Sequence, residues 1–292
     1  MHHKLNYKPI ISLFESKKQK AKSKKQKAKS KTNSAMKIIS YSDLHLEFEA
    51  GWTMPEDIDA DLMILAGDII TFKDYSPLTK FLTGWEKPVL YITGNHEYYT
   101  RTPIDEEEEV FKKWLEENRP NVTLLRDEFI SIDGVHFFGG TMWTNFNGGN
   151  EQAMKIAERQ VNDFRLIKNS DLSPFKPVDT LGLHDRYVKK LLKWLEADLP
   201  GPRVIISHHA PAINPNTQFT GSPLTPAFNS LDMLDIIKKY QPGLWVYGHT
   251  HECDDQMIGS TRIISNQLGY PDHMGGFECV NFDEKGKLVE VK

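Results

Sequence analysis

The chain has 292 residues, of which 39% are hydrophobic and 11% aromatic, with a formal net charge of −4 at pH 7. This is enough apolar material for a substantial core, yet no apolar run approaches the roughly 20 residues of a membrane-spanning helix, so we expect a soluble protein without such a helix. With two cysteines and no signal-like apolar stretch, a disulfide-rich secreted domain is excluded and we expect a reducing, cytoplasmic setting.

Charge is distributed unevenly along the chain. Residues 1–35 contain eleven lysines and one glutamate, a local balance of +10, so the remainder carries −14. The unit KKQKAKS occurs twice in tandem within residues 17–30. Because this stretch lacks apolar periodicity and turn residues, we predict that residues 1–35 are a disordered lysine-rich tail. The acidic remainder argues against a broad nucleic-acid surface, so nucleic-acid binding would depend on the tail.

From residue 36 onward, short apolar runs alternate with polar turns and amphipathic stretches, which predicts a single α/β domain over residues 36–292. Asp133-Gly134 predicts a two-residue hairpin turn, Thr102 is a candidate cap for the first long helix, and Gln241-Pro242-Gly243 predicts the end of the last. Strands are predicted at residues 37–41, 61–66, 89–93, 129–132, 135–138, 203–207, 244–247, 262–265 and 277–282. Helices are predicted at residues 103–118, 150–167, 181–197 and 231–240.

Five of the predicted strands end in clusters of Asp, His or Asn. In α/β sheets the carboxyl ends of strands converge on one crevice, so clusters that are distant in the sequence are expected to meet there. The clusters are Ser42-Asp43-Leu44-His45, Gly67-Asp68, Gly94-Asn95-His96-Glu97, Ser207-His208-His209 and Gly248-His249-Thr250-His251.

The spacing of these residues predicts a metal site. Asp43 and His45 lie two apart directly after a strand, and His249 and His251 repeat that spacing. Imidazole with carboxylate suits Mn, Fe, Zn or Ni and suits calcium poorly, and two such pairs indicate two ions. Asp68 has two oxygens with which to bridge the ions, while Asn95 offers a carbonyl and His208 another imidazole. Each motif alone is typical of a turn or a hydrogen-bonded side chain, whereas five in order favour a metal centre.

The series DLHLE, GDI, GNHEYY, SHHAP and GHTH resembles the calcineurin-like metallophosphoesterase superfamily over residues 36–292, and TMWTNFN at residues 141–147 resembles its small bacterial-type members. The resemblance implies a metallo-dependent phosphatase-like fold, a four-layer α/β/β/α sandwich of two mixed sheets flanked by helices. It also implies two ligand sets. One metal ion would be held by Asp43, His45, His251 and a bridging Asp68, and the other by Asp68, Asn95, His208 and His249.

The function implied is dinuclear metal-dependent hydrolysis of a phosphomonoester or phosphodiester by a metal-bridging hydroxide, with a small phosphorylated substrate. His96 is implied as the proton donor to the leaving group. Two other functions are considered. A catalytically silent metal-binding interaction module would be expected to show eroded ligands, and a nuclease would be expected to have a more basic surface.

Several further residues are candidates for supporting roles. His209 is placed beside the site, because the first histidine of SHHAP ligates in the family pattern. His209, Arg165 and Asn145 are candidate substrate-binding residues, with an ion pair between Asp163 and Arg165 as the alternative role for that arginine. Glu97 is a candidate for orienting a ligand. Residues 212–229, rich in Pro, Thr, Asn and Gly, predict a long loop that covers the site.

Overall fold

Two mixed sheets pack face to face in the computed structural model, which describes residues 35–48 and 52–292. The first sheet has the strand order β11-β1-β2-β3-β4 and the second has the order β5-β6-β7-β8-β10-β9. The strands are β1 (Met36–Tyr41), β2 (Leu62–Ala66), β3 (Val89–Ile92), β4 (Val122–Leu124), β5 (Glu128–Ile132), β6 (Val135–Gly140), β7 (Arg203–Ser207), β8 (Leu244–Tyr247), β9 (Asp254–Ile258), β10 (Thr261–Ser265) and β11 (Lys287–Val291).

Both sheets have a parallel centre; the first has an antiparallel strand at one edge, and the second has antiparallel strands at both edges. Strands β1 to β4 are parallel neighbours in the first sheet, as are β6, β7, β8 and β10 in the second. The antiparallel pairs are β1 with β11, β5 with β6, and β9 with β10. Because the central strands run parallel, their carboxyl ends share one edge of each sheet, and the polar loops leave from that edge.

Helices cover the outer faces of both sheets. They are α1 (Ser76–Phe81), α2 (Ile104–Asn118), α3 (Phe146–Gly149), α4 (Glu151–Gln160), α5 (Asp163–Leu166), α6 (Pro177–Leu195), α7 (Thr225–Phe228) and α8 (Met233–Tyr240), with 3-10 turns at Leu46–Phe48 and His96–Tyr98. None of the helices in the described ranges has both the length and the apolarity needed to cross a bilayer.

Alternating side chains of the strands enter different cores, as the two-residue period of a strand requires. Ile38 of β1 lies in the core between the two sheets, whereas its neighbour Ile39 lies in the core beneath α1 and α2 with Phe111. On the far side, Trp245 of β8 packs in a third core with Leu191 and other residues of α6 and α8. Three apolar layers therefore separate four layers of structure, which confirms the α/β/β/α sandwich.

Most predicted elements are confirmed, with differences at the edges of the sheets. Eight of the nine predicted strands are present with small shifts of their ends, and the hairpin turn has positive φ angles at Asp133 and Gly134, as a type I′ turn requires. The strand predicted at 277–282 is wrong, because in that segment only Phe277 forms an isolated bridge, with Pro271. Strands β4, β9 and β11 were not predicted.

The predicted helix at 150–167 is broken. Val161 adopts an extended conformation between α4 and α5, and residues before Asn150 form a separate turn in which Asn147 has a positive φ angle. The predicted cap by Thr102 is also wrong, since Pro103 occupies the N-cap of α2 with no side-chain hydrogen bond. The last helix, α8, ends before Gln241-Pro242-Gly243, as predicted, and Gln241 adopts the left-handed conformation at its C-cap. The predicted lysine-rich tail lies outside the described residues except for Ala35.

Candidate metal centre

The carboxyl ends of β1, β2, β3, β7 and β8 bring all seven predicted ligands to one place. Six of the seven are buried, and the side chain of His251 is 18% exposed. They form two groups. The first ligand cluster comprises Asp43, His45 and His251, and the second comprises Asp68, Asn95, His208 and His249.

Potential ligand atoms of the first ligand cluster lie close to one another. His45 Nε2 lies 3.1 Å from His251 Nε2, and His251 Nε2 lies 3.5 Å from Asp43 Oδ1. The Asp43 carboxylate also accepts hydrogen bonds from the backbone N–H of His249 at 2.9 and 3.0 Å and from the Ser42 hydroxyl. This carboxylate therefore links the ends of β1 and β8.

The second ligand cluster has similar separations. His208 Nε2 lies 3.3 Å from Asp68 Oδ1 and 3.0 Å from Asn95 Oδ1. The ring of His249 packs against the ring of His208 with centroids 4.9 Å apart. One ligand atom each from Asp68, His208 and His249 lies within 4.8 Å of the others.

These distances fit shared cations. Two ligand atoms each about 2.0–2.1 Å from one ion, at the angles of tetrahedral or octahedral coordination, lie roughly 2.9–3.4 Å apart. The separations of 3.0, 3.1, 3.3 and 3.5 Å in the two clusters are close to that range. The chemistry of the donor set, imidazole with carboxylate and one amide oxygen, matches a transition metal.

Asp68 lies between the two clusters. Its Oδ1 atom faces His208, while its Oδ2 atom lies 4.0 Å from His45 Nε2. The backbone N–H of His96 donates to Oδ1 at 2.8 Å, which fixes the carboxylate plane. Each oxygen of this side chain therefore faces a different set of imidazoles, as a bridging ligand requires.

Five of the seven ligand candidates have left-handed backbone conformations. The φ angles are 51° at Asp43, 44° at His45, 55° at Asp68, 74° at His249 and 51° at His251. Residues other than glycine rarely adopt this conformation, and such strain concentrates at functional sites where the surrounding structure enforces it. The strand ends are therefore shaped to aim these side chains inward at a cost in backbone energy.

Gly94 allows the second cluster to assemble. A Cβ atom at this position would lie 2.6 Å from His208 Nε2 and 2.7 Å from the backbone nitrogen of Asp68. We expect Gly94→Ala to lower the free energy of unfolding by roughly 1–3 kcal/mol through overpacking, and to reduce metal content, measured by denaturant unfolding and elemental analysis. Gly182→Ala is the matched control, since a Cβ atom added at this position of α6 would meet no neighbouring atom within 4 Å. Equal stability of the two variants would contradict this close packing.

The second nitrogen of most ligand histidines has a partner in the protein. His208 Nδ1 lies 2.9 Å from the Ala66 carbonyl, His45 Nδ1 lies 3.4 Å from Glu47 Oε1, and His251 Nδ1 contacts Glu278 Oε2. Such contacts fix the tautomer and orientation of a metal-binding imidazole. Neither Glu47 nor Glu278 was predicted. Glu278 meets His251 only through the fold, whereas Glu47 lies two residues after His45 in DLHLE, a spacing that could have indicated the contact.

Asp163 and Tyr99 orient Asn95. The Asn95 amide donates to Asp163 Oδ1 at 2.9 Å and to the Tyr99 hydroxyl at 3.0 Å, and the Tyr99 hydroxyl donates to the same Asp163 oxygen at 2.6 Å. Asn95 Oδ1 is thereby turned toward His208. The alternative ion pair of Asp163 with Arg165 is not formed, since Arg165 is exposed and its side chain contacts Asn162 instead.

We expect Asp163→Asn and Tyr99→Phe each to weaken metal binding at the second cluster by about 10- to 100-fold, because Asn95 loses its fixed orientation. Titration of the metal-free protein with Mn²⁺, followed by calorimetry, measures the effect. The control is Asp185→Asn, which changes an exposed aspartate on α6. Wild-type affinity in both orienting variants would show that Asn95 does not depend on them.

Glu97 supports the backbone of the site rather than a ligand side chain. Its carboxylate accepts hydrogen bonds from the backbone N–H groups of Asp68, Ile69 and Gly94 at 2.8–3.0 Å and from the Tyr91 hydroxyl at 2.6 Å. Burial, together with nearby Asp68, raises the pKa of Glu97 to about 7. The Glu97 carboxylate therefore joins the ends of β2 and β3 by hydrogen bonds to their backbones, in place of the predicted contact with an imidazole or amide ligand.

His96, the predicted proton donor, is held on both sides. His96 Nδ1 lies 3.1 Å from Glu47 Oε1, and His96 Nε2 lies 2.7 Å from the Tyr270 hydroxyl. The Tyr270 ring also packs against His45, with ring centroids 4.4 Å apart. The imidazole is therefore fixed next to the ligands, and its Nε2 atom points toward a hydroxyl that is itself beside the metal centre.

The three predicted substrate-binding residues lie away from the open part of the site. His209 is buried, its Nδ1 atom lies 3.5 Å from the Thr141 carbonyl, and its ring packs 4.1 Å from that of His249. Asn145 accepts a hydrogen bond from the backbone of Gly148 and caps α3. Neither these two nor the exposed Arg165 is among the described residues that line the cavities at the centre.

Burial and nearby charges shift the pKa values of His208, His209 and His249 in different directions. Burial opposes protonation of His208, but the neighbouring Asp68 carboxylate raises its pKa to about 10. Burial lowers the pKa of His209 to about 3 and that of His249 well below its ordinary value. His208 is thus the histidine of this pair that interacts with the carboxylate, as expected for the first histidine of SHHAP.

Two cavities open at the metal centre. The first, of about 460 Å³, lies against Asp68, Asn95 and His249 and is walled on its outer side by residues 213–229. The second, of about 760 Å³, is lined by His96 together with Glu47 and other residues of the neighbouring loops. Two features expected of a substrate site, an open approach to the ligands and a covering loop, are therefore both present.

By its fold and its site, the protein is a four-layer α/β sandwich with a candidate metal centre at the carboxyl ends of its strands. The family model for calcineurin-like phosphoesterases matches residues 36–253, and the chain belongs to this family. It is 30% identical over 285 residues to the Uncharacterized protein L509 of Acanthamoeba polyphaga mimivirus, covering 87% of this chain and 99% of that protein.

Two further similarities extend the comparison. The chain is 24% identical over 241 residues to the UPF0046 protein K07C11.7 of Caenorhabditis elegans, covering 79% of this chain and 69% of that protein. The crystal structure of phosphopantetheinyl hydrolase (PptH) from Mycobacterium tuberculosis superposes with a TM-score of 0.60 at 19% identity, covering 82% of this chain and 91% of that one. At this identity the likeness concerns the fold.

Proposed function

We propose that the protein is a dinuclear metal-dependent hydrolase of phosphate esters. The observation that carries the proposal is Asp68, whose two carboxylate oxygens face separate imidazole sets within a family of phosphoesterases. Asp43, His45, His251 and Asp68 would hold one ion, and Asp68, Asn95, His208 and His249 would hold the other. Mn, Fe, Zn and Ni all suit these ligands.

Bound metal ions would activate water and stabilise charge on the phosphoryl oxygens. The chain supplies what the ions do not. His96 gives a proton to the leaving-group oxygen, and Glu47 on its Nδ1 side keeps the ring oriented for that transfer. The Tyr270 hydroxyl, 2.7 Å from His96 Nε2, marks the position near which that oxygen would lie.

The two other functions have less support. A catalytically silent module would tolerate loss of ligands, whereas all seven candidates are present here together with the partners that orient them. Nuclease activity would need many basic contacts along a polyanion, and the first cavity has neither lysine nor arginine among its described lining residues.

The proposal is tested by measuring metal content and hydrolysis of p-nitrophenyl phosphate and bis(p-nitrophenyl) phosphate by the purified full chain with added Mn²⁺. We expect about two ions per chain, as in dinuclear phosphatase sites, and metal-dependent release of nitrophenol that a chelator abolishes. Metal binding without hydrolysis of either ester, with each of the four metals, would favour the silent module.

A further inference from the structure

The first cavity has an apolar wall formed by side chains that are not candidate metal ligands. Its volume of about 460 Å³ lies within the range of small-molecule sites, roughly 300–1,000 Å³. Apolar side chains from the junction of α4 and α5 and from residues 213–229 form much of its wall. They are Val161, Ile213, Phe219, Leu224 and Phe228.

Phe228 connects this apolar wall to the metal centre. Its ring is stacked on that of His249, with centroids 4.6 Å apart and planes inclined by 26°. A group bound against Phe228 is therefore separated from His249, a candidate ligand of the second cluster, by the Phe228 ring. The cavity is thus placed to receive a group attached directly to a phosphate held at that cluster.

The charges around this cavity disfavour a second anionic group on the substrate. Its described lining contains no lysine or arginine, and its carboxylates besides Asp68 are Glu252 and Glu278. Glu252 accepts a hydrogen bond from the backbone of Gln218 at 2.8 Å, and Glu278 contacts His251. An additional phosphate or carboxylate on the substrate would lose water without gaining a cation, which is costly.

His96 lies at the second cavity. It lines the second cavity and is not among the described residues lining the first. Tyr99, Asn162 and Tyr270 line both cavities and separate them. If His96 gives its proton to the leaving group, the leaving group occupies the second cavity. The ester group in the first cavity is then the one that stays bonded to phosphorus.

We propose that the substrate is a phosphodiester whose retained ester group is uncharged and apolar and binds in the first cavity. This rests on the proposed function, including the role of His96. The water oxygen forms a new bond to phosphorus and releases one proton to solvent, while the bond between phosphorus and the leaving oxygen breaks. The proton from His96 goes to that leaving oxygen, and His96 then regains a proton from solvent. The product is a monoester that still carries the apolar group.

Three diesters that share the leaving group p-nitrophenolate and differ only in the retained ester group test the effect of that group on hydrolysis. They carry methyl, phenyl or 4-carboxyphenyl as the second ester. With the Mn²⁺-loaded full chain, we expect kcat/KM for the phenyl ester to exceed that for the methyl ester by roughly 10- to 100-fold, mainly through KM, because the ring buries apolar area. The 4-carboxyphenyl ester should lose most of that gain, and p-nitrophenyl phosphate should be the poorest substrate.

Phe219→Ala tests the cavity wall itself. Phe219 is 52% exposed, so its removal should not disturb folding. We expect the ratio of phenyl to methyl kcat/KM to fall several-fold in this variant and to remain at the wild-type value in Phe129→Ala, which removes an exposed phenylalanine of β5. A second readout is the affinity of the loaded protein for diphenyl phosphate, measured by calorimetry, which should weaken in Phe219→Ala alone.

Equal kcat/KM for the methyl and phenyl esters, or faster hydrolysis of the monoester than of any diester, would overturn this inference and leave the proposed hydrolase intact. Absence of hydrolysis of all four esters by a protein that binds metal would instead overturn the proposed function. The two failures are therefore distinguishable in one set of assays.

Discussion

Asp68→Asn is expected to lower metal content from about two ions per chain to one or fewer, and to reduce kcat/KM by on the order of 10³-fold or more. Asparagine keeps the size of the side chain and one oxygen that can accept from the His96 backbone. It removes the charge and one of the two oxygens that face the separate clusters. Elemental analysis and hydrolysis of bis(p-nitrophenyl) phosphate measure the two effects.

The control is Asp57→Asn, because Asp57 is an exposed aspartate outside the centre. It should retain wild-type metal content and turnover. Thermal unfolding of both metal-free variants checks that the folds are equivalent. An Asp68→Asn protein that still binds two ions with unchanged affinity would show that Asp68 does not bridge them.

His96→Ala is expected to retain both ions and to lose turnover in a way that depends on the leaving group. For an alkyl ester, whose alkoxide needs a proton, kcat should fall by about 10²- to 10⁴-fold. For an ester of p-nitrophenol the loss should be much smaller, because nitrophenolate leaves without protonation. Rates for both esters and metal content, measured on the same preparations, give the result.

His273→Ala is the matched control, since His273 is exposed. His96→Gln provides a second variant that preserves polar contact with Glu47 but cannot act as an acid. Equal losses for the two esters would reject the proton-donor role. A fall in metal content would assign His96 to the ligands, consistent with its position beside His45 and Asp68.

The positions of the candidate ligands could be predicted because they depend on local sequence. Each follows a buried strand, and parallel strands necessarily bring their carboxyl ends to a common edge. Asp43 and His249 illustrate this, since they are 206 residues apart yet joined by a hydrogen bond of 2.9 Å. The strands that form the centres of the sheets were also predictable, because they are continuous apolar runs.

The residues that orient the ligands could not be predicted in the same way. Tyr270 and Glu278 lie in a segment without a periodic pattern, and their contacts with His96 and His251 exist only after β10 has paired with β8. The apolar residues of 277–282 favoured a strand, but Phe282 instead packs on the rings of Tyr41 and Trp52. Only Cys279 of this segment is buried and Val280 is 90% exposed, so apolar content alone decided neither burial nor the type of structure there.

The left-handed backbone at five ligand positions has a consequence for how this fold tolerates change. Each such residue costs roughly 1 kcal/mol or more relative to ordinary backbone. Glycine at Asp43, His45 or His249 would relieve that cost while deleting a candidate ligand, so loss of the proposed activity and gain of stability lie in the same direction. Stability alone would therefore favour glycine at these positions, and the side chains of the candidate centre are present at a cost to the fold.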